Sequence, residues 1–250
     1  FHYKNAFIDR TSKEIENYSS LISRNGFEGS LFLDLFLFMA KINHFKIYNK
    51  KSIDILIKEI IKADIVSNIS NLKHRAIFLF YIDGLGHKNI FTDRYLKDIK
   101  EMQNPDGAWP LDISLNRDSS NIFSTLFIFR LFMIHDLWSS KDFLKKTQSY
   151  LIENHLSKKQ TKEDLDKWNR LYSGYKKNNI SEGGSVILLE ALLLSKVKDA
   201  RKIKSLVAWL KSLQLEDGYF PYHASLRGDK NISSTIKILS LIKKNRLLTV

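Results

Sequence analysis

The chain has 250 residues, 44% of them hydrophobic, which is enough for one large core, so a single domain over residues 1–250 is expected. Cysteine is absent, which excludes disulfides, thiolate metal ligands and cysteine nucleophiles. The formal net charge is +13, but the lysines are scattered among acidic residues, and this favours compositional bias over a dedicated nucleic-acid surface.

No apolar run reaches the roughly 18 residues that a membrane span needs. The richest run, residues 31–40, is interrupted by Asp34. The lack of cysteine is compatible with a reducing cytoplasm. We therefore predict a cytoplasmic protein and leave peripheral contact with a membrane surface open.

Apolar residues recur at helical spacing along the whole chain, and no segment alternates apolar and polar residues for long enough to predict a strand. The helices come in pairs, in which an amphipathic, half-exposed outer helix precedes an apolar inner helix. The five predicted pairs are residues 14–23 with 27–42, 53–61 with 71–82, 94–102 with 122–135, 141–153 with 186–194, and 200–213 with 235–244. A long polar loop separates the two members of the fourth pair.

Nearly the same turn joins the third and the fifth pair. Residues 103–110 read Gln-Asn-Pro-Asp-Gly-Ala-Trp-Pro, and residues 214–221 read Gln-Leu-Glu-Asp-Gly-Tyr-Phe-Pro. In both copies a polar loop follows, then Ser-Thr and an apolar helix. An internal repeat of this kind indicates a helical-repeat architecture.

Each residue type in the turn has a predicted structural role. Glycine permits the turn itself, and the aromatic residue covers the apolar end of the helix pair. We expect Asp106 and Asp217 to accept hydrogen bonds from N–H groups of a neighbouring helix. The serines at 119–120 and 233–234 are expected to cap the helices that follow.

The pattern Gln-x-x-Asp-Gly-x-Trp/Phe, between an outer and an inner helix, resembles the QW-type repeat of squalene–hopene cyclases. The repeats of protein prenyltransferase β subunits are similar. The resemblance covers residues 92–135 and 202–244. It implies an all-α fold of the α/α-toroid type, and the five predicted pairs would give a barrel of about five helical hairpins with inner and outer rings.

The resemblance also implies a function: a terpenoid-cyclase-like enzyme that acts on an isoprenoid or similar apolar substrate in a central cavity. No cofactor is expected, apart from magnesium if the substrate is a diphosphate. The zinc site of the prenyltransferases contains a cysteine, which this chain lacks, so that site cannot be built in its usual form.

The resembling cyclases start their reaction with an acidic Asp-x-Asp-Asp segment. The nearest string in this chain is residues 163–168, where Asp164 and Asp166 have the right spacing but Lys167 replaces the last acid. We take the two aspartates as candidate catalytic residues. The plain alternative is an exposed polar loop, or a helix start with acids in its first turn.

Charged residues interrupt the apolar inner helices, where burial is costly unless they are paired. Asp34, Arg130 and Glu190 are therefore further candidates for a polar spot lining a cavity. Arg130 follows Thr125 at the spacing at which Glu190 follows Ser185, so the two charges occupy equivalent positions on inner helices. An ion pair that holds the helix register is the alternative role.

Two functions remain open from the sequence. One is the terpenoid-cyclase-like enzyme, and the other is a non-catalytic toroid or helical-repeat module that binds a protein, peptide or lipid partner in a biosynthetic pathway. An enclosed, aromatic and partly polar pocket favours the enzyme, whereas an exposed apolar patch favours the module. Nucleic acid is the least favoured partner.

Overall fold

The computed structural model describes residues 2–25, 34–39, 42, 48–86, 91–114, 119–134, 142–155, 161–171, 179–195, 200–223 and 230–244. Within these ranges the chain is helical, with isolated β-bridges and no strand. The prediction of an all-α protein is therefore confirmed. The chain divides into two compact units, one formed by Phe1–Gln103 with Asp112–Arg117 and the other by Asn104–Leu111 with Asp118–Val250.

The described helices of the first unit are α1 (His2–Asn25), α2 (Lys50–Lys62), α3 (Leu72–Gly84) and α4 (Phe91–Glu101). Residues 34–39 are also helical, and the rest of the predicted inner helix 27–42 lies mostly outside the described residues. Helix α1 packs against α2, and α3 packs against α4.

Helix α2 illustrates how local sequence determines an element in this unit. The Asn49 side chain accepts a hydrogen bond from the Ser52 N–H at 3.3 Å and so caps the helix start. One face is buried, because its apolar residues recur at helical spacing, and these are Ile53, Leu56, Ile57 and Ile60. The helix ends at Lys62, and Asp64, two residues further on, has a left-handed φ of 47°.

Asp64 accepts hydrogen bonds from a second helix and from its own turn. The Tyr95 hydroxyl of α4 donates to its Oδ1 atom at 2.5 Å, and Ser67 donates to the same atom at 3.0 Å. Burial of Tyr95, together with this bond to a carboxylate, raises the pKa of Tyr95 to about 12. The bond therefore ties the end of α2 to α4 across the first unit.

The second unit contains α5 (Ile122–Ile134), α6 (Asp142–His155), α7 (Lys162–Leu171), a 3-10 turn (Ile180–Glu182), α8 (Gly184–Leu194), α9 (Ala200–Ser212) and α10 (Ile232–Lys244). Helix α8 lies at its centre, where it packs against α5, α7, α9 and the 3-10 turn. A helix enclosed by its neighbours is expected to be apolar nearly all round, and α8 is so apart from Glu190. Helix α5 also packs against α6, and α10 packs against the 3-10 turn.

The close approach of α7 to the start of α8 depends on a glycine. The side chain of Asn169 is buried, its Nδ2 donates to the Ile180 carbonyl, and its Oδ1 accepts from the Val186 N–H, both at 3.3 Å. A Cβ atom at Gly183 would lie 2.2 Å from this side chain. Any other residue at position 183 would displace Asn169 and break both bonds.

The described helices follow the predicted order, with shifted ends and one addition. Helix α7 forms within the stretch that was expected to be a long polar loop, so that prediction was wrong. Its apolar residue Leu165 is buried, and the Ser185 hydroxyl donates to the Leu165 carbonyl at 2.9 Å. Tertiary contact with α8 stabilises a helix whose own sequence is mostly polar.

Candidate functional site

The first repeat turn, residues 103–110, is closed by hydrogen bonds of its own. The Asn104 N–H donates to the Ala108 carbonyl at 2.8 Å, and Gly107 adopts a φ of +88°. Asp106 accepts from the Ala108 N–H at 3.0 Å and from the Ser120 hydroxyl at 2.6 Å. The aspartate thus binds its own turn and the following loop, so the expected bond to a neighbouring helix was wrong.

The aromatic residue of this turn is joined to the start of α5. The Trp109 N–H donates to the Thr125 hydroxyl at 3.0 Å, and that hydroxyl donates to the Asn121 carbonyl at 2.7 Å. The Asn121 N–H donates back to the Trp109 carbonyl at 2.8 Å. The Trp109 ring is fully buried and stacks on Phe132 with ring centres 5.9 Å apart.

The second repeat turn reproduces this arrangement with different side chains. The Phe220 N–H donates to the Thr235 hydroxyl at 2.9 Å, which donates to the Asn231 carbonyl at 2.7 Å. Lys230 forms an ion pair with Asp217. In the first copy, the hydroxyl of Ser120 donates a hydrogen bond to the equivalent Asp106 instead. Asp217 also accepts from the N–H of its own turn at Tyr219, 3.3 Å away. The repeat is therefore a shared structural unit.

Asparagine, and not the predicted serines, caps the helix after each turn. The Asn121 side chain accepts from the Ser124 N–H at 3.2 Å, and the Asn231 side chain accepts from the Ser234 N–H at 2.8 Å. The serines at 119–120 and 233–234 were expected to do this, so that prediction was wrong. The same residue type caps α3, where Asn71 accepts from the His74 N–H at 3.0 Å.

The candidate acid Asp164 lies in the first turn of α7, on the exposed surface. It forms a capping box with Thr161: the Thr161 N–H donates to Asp164 at 3.0 Å, and the Asp164 N–H donates to the Thr161 hydroxyl at 3.2 Å. The bonds that its carboxylate accepts from the Thr161 N–H and hydroxyl lower the pKa of Asp164. The side chain is thus ionised at neutral pH and has the role foreseen in the helix-start alternative.

The candidate acid Asp166 lies two residues further on and is half-buried. Its Oδ1 atom accepts a hydrogen bond from the indole Nε1 of Trp209 at 2.7 Å. The bond joins α7 to α9 and supplies the indole N–H with the partner that a largely buried tryptophan needs. The Asp166 side chain thus binds another helix, whereas the Asp164 side chain caps its own.

Arg130 and Glu190 are brought together as an ion pair. The Nε atom of Arg130 lies 2.6 Å from Oε2 of Glu190, and their side chains are 13% and 30% exposed. The pair joins α5 to α8, as expected from their equivalent positions in the repeat. The sequence-based alternative of an ion pair between inner helices is confirmed.

Asp34, the remaining candidate, belongs to the first unit, whereas the other four belong to the second. It is exposed at the start of helical residues 34–39. The pKa of the nearby Tyr18 is raised, first by burial and then by the negative charge of Asp34. Asp34 therefore lies near Tyr18 within the first unit.

An exposed apolar stripe on α10 was not recognised from the sequence. Ile232, Ile236 and Leu239 are 66%, 60% and 38% exposed and follow one another at helical spacing, with Lys243 one turn further on. We call these four residues the α10 stripe. The buried residues of α10 lie on the other side and are Ser234, Thr235, Ile238 and Ile242.

Within the described ranges, no group of three or more His, Asp or Glu side chains is placed to hold a metal ion. None of the described helices combines the length and the apolar character needed to cross a bilayer. Comparison with protein-family models, with curated proteins and with solved structures gave no match. What the fold defines is an all-α protein with a repeated helix–turn–helix unit, and its likeness to the toroid enzymes stays a prediction.

Proposed function

We propose that this chain is a non-catalytic helical-repeat module, whose α10 stripe binds an apolar helix of a partner protein. The observation that carries the proposal is the exposure of Ile232, Ile236 and Leu239 at the last copy of the repeat. A row of exposed apolar residues on one helix face is typical of an interaction surface.

The repeat itself supplies two internal comparisons. Aligned on Thr125 and Thr235, the α10 stripe corresponds to Ile122, Leu126, Phe129 and Met133 of α5, of which Leu126, Phe129 and Met133 are fully or almost fully buried. Aligned on Ser185, its two central positions correspond to Val186 and Leu189 of α8, which are buried as well. Packed helices therefore cover these positions in α5 and α8, whereas the equivalent positions of α10 are exposed.

The chemistry of the stripe favours a particular kind of partner. Three apolar side chains require an apolar helix face, of the kind that helix-in-groove recognition uses. Lys243, at the end of the stripe, favours a carboxylate on the partner helix at that level. A second copy of this chain is less suited, because a stripe that meets itself in parallel would oppose lysine to lysine.

The test uses a synthetic amphipathic peptide with leucines at the spacing of the α10 stripe and a glutamate one turn beyond them. Binding to the full chain is followed by fluorescence anisotropy. The double variant Ile236→Asp/Leu239→Ser should weaken binding by at least tenfold, because a charge replaces a central contact. A cooperative thermal transition at a modestly lower temperature should remain, since Ile236 is 60% exposed but Leu239 only 38%.

Two controls decide the outcome. Lys237→Ser changes an exposed residue of the same helix outside the stripe and should leave binding unchanged. A scrambled peptide of the same composition should not bind. Equal binding of both peptides, or no effect of the double variant, would overturn the proposal. Concentration-dependent dimerisation that the double variant abolishes would instead assign the stripe to a second copy.

The terpenoid-cyclase-like enzyme, with its helices in an α/α toroid, is the second candidate. One observation favours it: Asp166 is half-buried, and a hydrogen bond from Trp209 holds its carboxylate in position. Its test is product analysis after incubation with squalene and with farnesyl and geranylgeranyl diphosphates, with and without magnesium. A cyclised product that disappears with Asp166→Asn, while the fold is retained, would support the enzyme.

A further inference from the structure

The solvent side of α2 carries three lysines and one isoleucine in a single line. Lys51, Ile55, Lys58 and Lys62 are exposed and follow the spacing i, i+4, i+7, i+11, which places them on one helix face. We call these four residues the α2 stripe. The opposite face of α2 is the buried one, and α2 packs against α1.

Ile55 distinguishes the α2 stripe from an ordinary solvated lysine face. Its side chain is 46% exposed and lies between Lys51 and Lys58 along the stripe. Ile61, at the edge of the stripe, is 39% exposed. Apolar side chains flanked by lysines on a helix surface suit the boundary between acyl chains and lipid headgroups. There the apolar side chains contact the acyl chains and the lysines contact the headgroups.

We propose that the α2 stripe binds the surface of a bilayer that contains anionic phospholipid. The three lysines bind the phosphate and carboxylate groups of the headgroups, and Ile55 inserts at the level where the acyl chains begin. The formal net charge of +13 adds a longer-range attraction to the same surface. A nucleic acid would neutralise the lysines but would provide no apolar environment for Ile55.

This inference is independent of the proposed partner-binding role, because α2 belongs to the first unit and α10 to the second. Failure of one therefore leaves the other standing. The test is flotation of the full chain with vesicles of phosphatidylcholine alone or mixed with phosphatidylserine. The chain should float with the mixed vesicles, and increasing salt should release it.

Variants of the stripe identify the contact. Replacing Lys51, Lys58 and Lys62 by Gln should lower partitioning onto mixed vesicles about a hundredfold, at roughly fivefold for each lysine near the surface. Ile55→Ser should lower it about fivefold, because an apolar side chain is no longer buried. All four side chains are exposed, so circular dichroism should show an unchanged fold.

The matched control replaces Lys13, Lys97 and Lys211 by Gln, which removes the same charge from exposed positions outside the stripe. This variant should bind nearly as the unchanged chain does. An equal loss in both triple variants would mean that net charge alone acts, and would overturn the proposal. Absence of flotation would also overturn it. So would binding of duplex RNA that requires the three lysines, if Ile55→Ser left vesicle binding unaffected.

Discussion

Arg130 and Glu190 form a salt bridge, with Nε and Oε2 2.6 Å apart, between two helices whose other residues are almost all apolar. Each charge would be costly to bury alone, and the partner offsets that cost. A charge pair at one level of two packed helices also favours a single register, because sliding either helix would separate the charges. The pair therefore favours one register in the packing of α5 against α8.

Removing one partner of this pair should cost more than removing both. Arg130→Met leaves the Glu190 carboxylate, only 30% exposed, without its cation, and should lower the free energy of unfolding by about 2 kcal/mol. The double variant Arg130→Met/Glu190→Leu should recover most of that loss. Urea denaturation of both singles and the double gives the coupling energy, and strictly additive losses would contradict the assignment.

The threonine of each repeat should be needed for its hydroxyl group. Thr125→Val leaves the buried N–H of Trp109 without its acceptor and should cost about 1–3 kcal/mol. Thr125→Ser keeps the hydroxyl and should cost less. The same two substitutions at Thr235, which accepts from the Phe220 N–H, should follow the same order. Thermal unfolding measures all four, and a valine variant as stable as its serine counterpart would count against the bond.

The two turn glycines should differ in their tolerance of alanine. Both have left-handed φ values, +88° at Gly107 and +85° at Gly218, so alanine costs about 1–2 kcal/mol at either position. At Gly107 the new Cβ would also lie 2.5 Å from the Lys146 carbonyl carbon, whereas at Gly218 the nearest atom is 3.8 Å away. Gly107→Ala should therefore lower the melting temperature by at least twice as much as Gly218→Ala, its matched control.

Tyr95 should make stability fall at alkaline pH. Its pKa is 10.0 ordinarily and about 12 in the fold, so the unfolded chain loses this proton first as pH rises. The stabilising effect is complete below pH 10 and disappears by about pH 12, because the unfolded state binds fewer protons in between. Tyr95→Phe removes this titration, and its stability should fall less steeply over that window. Equal slopes of the free energy of unfolding against pH for the original chain and for Tyr95→Phe would refute the assignment.

Much of the fold was predictable because helical periodicity is a local property. Helix α2 was predicted at residues 53–61 and is observed at Lys50–Lys62, and the alternative pairing of Arg130 with Glu190 followed from counting along the repeat. The asparagine caps were missed although an asparagine directly precedes both α5 and α10, because the adjacent serines carried the same signal.

The site was less predictable, because it depends on what lies beside each residue. Asp164 and Asp166 look alike in the sequence, yet one caps α7 and the other binds Trp209, 43 residues further along the chain. Only the packing of α7 against α9 separates the two roles. Helix α7 itself was missed because its stability comes from contact with α8 and its sequence is mostly polar.

The all-α class, the order of most helices and the repeated turn can be predicted from residue spacing, since each depends on a short stretch of chain. The tertiary structure alone decided that Ile236 is exposed while its counterpart Leu126 is buried. The two positions have the same local pattern, and a side chain leaves water only when another element packs over it. That difference underlies the proposed binding surface on α10.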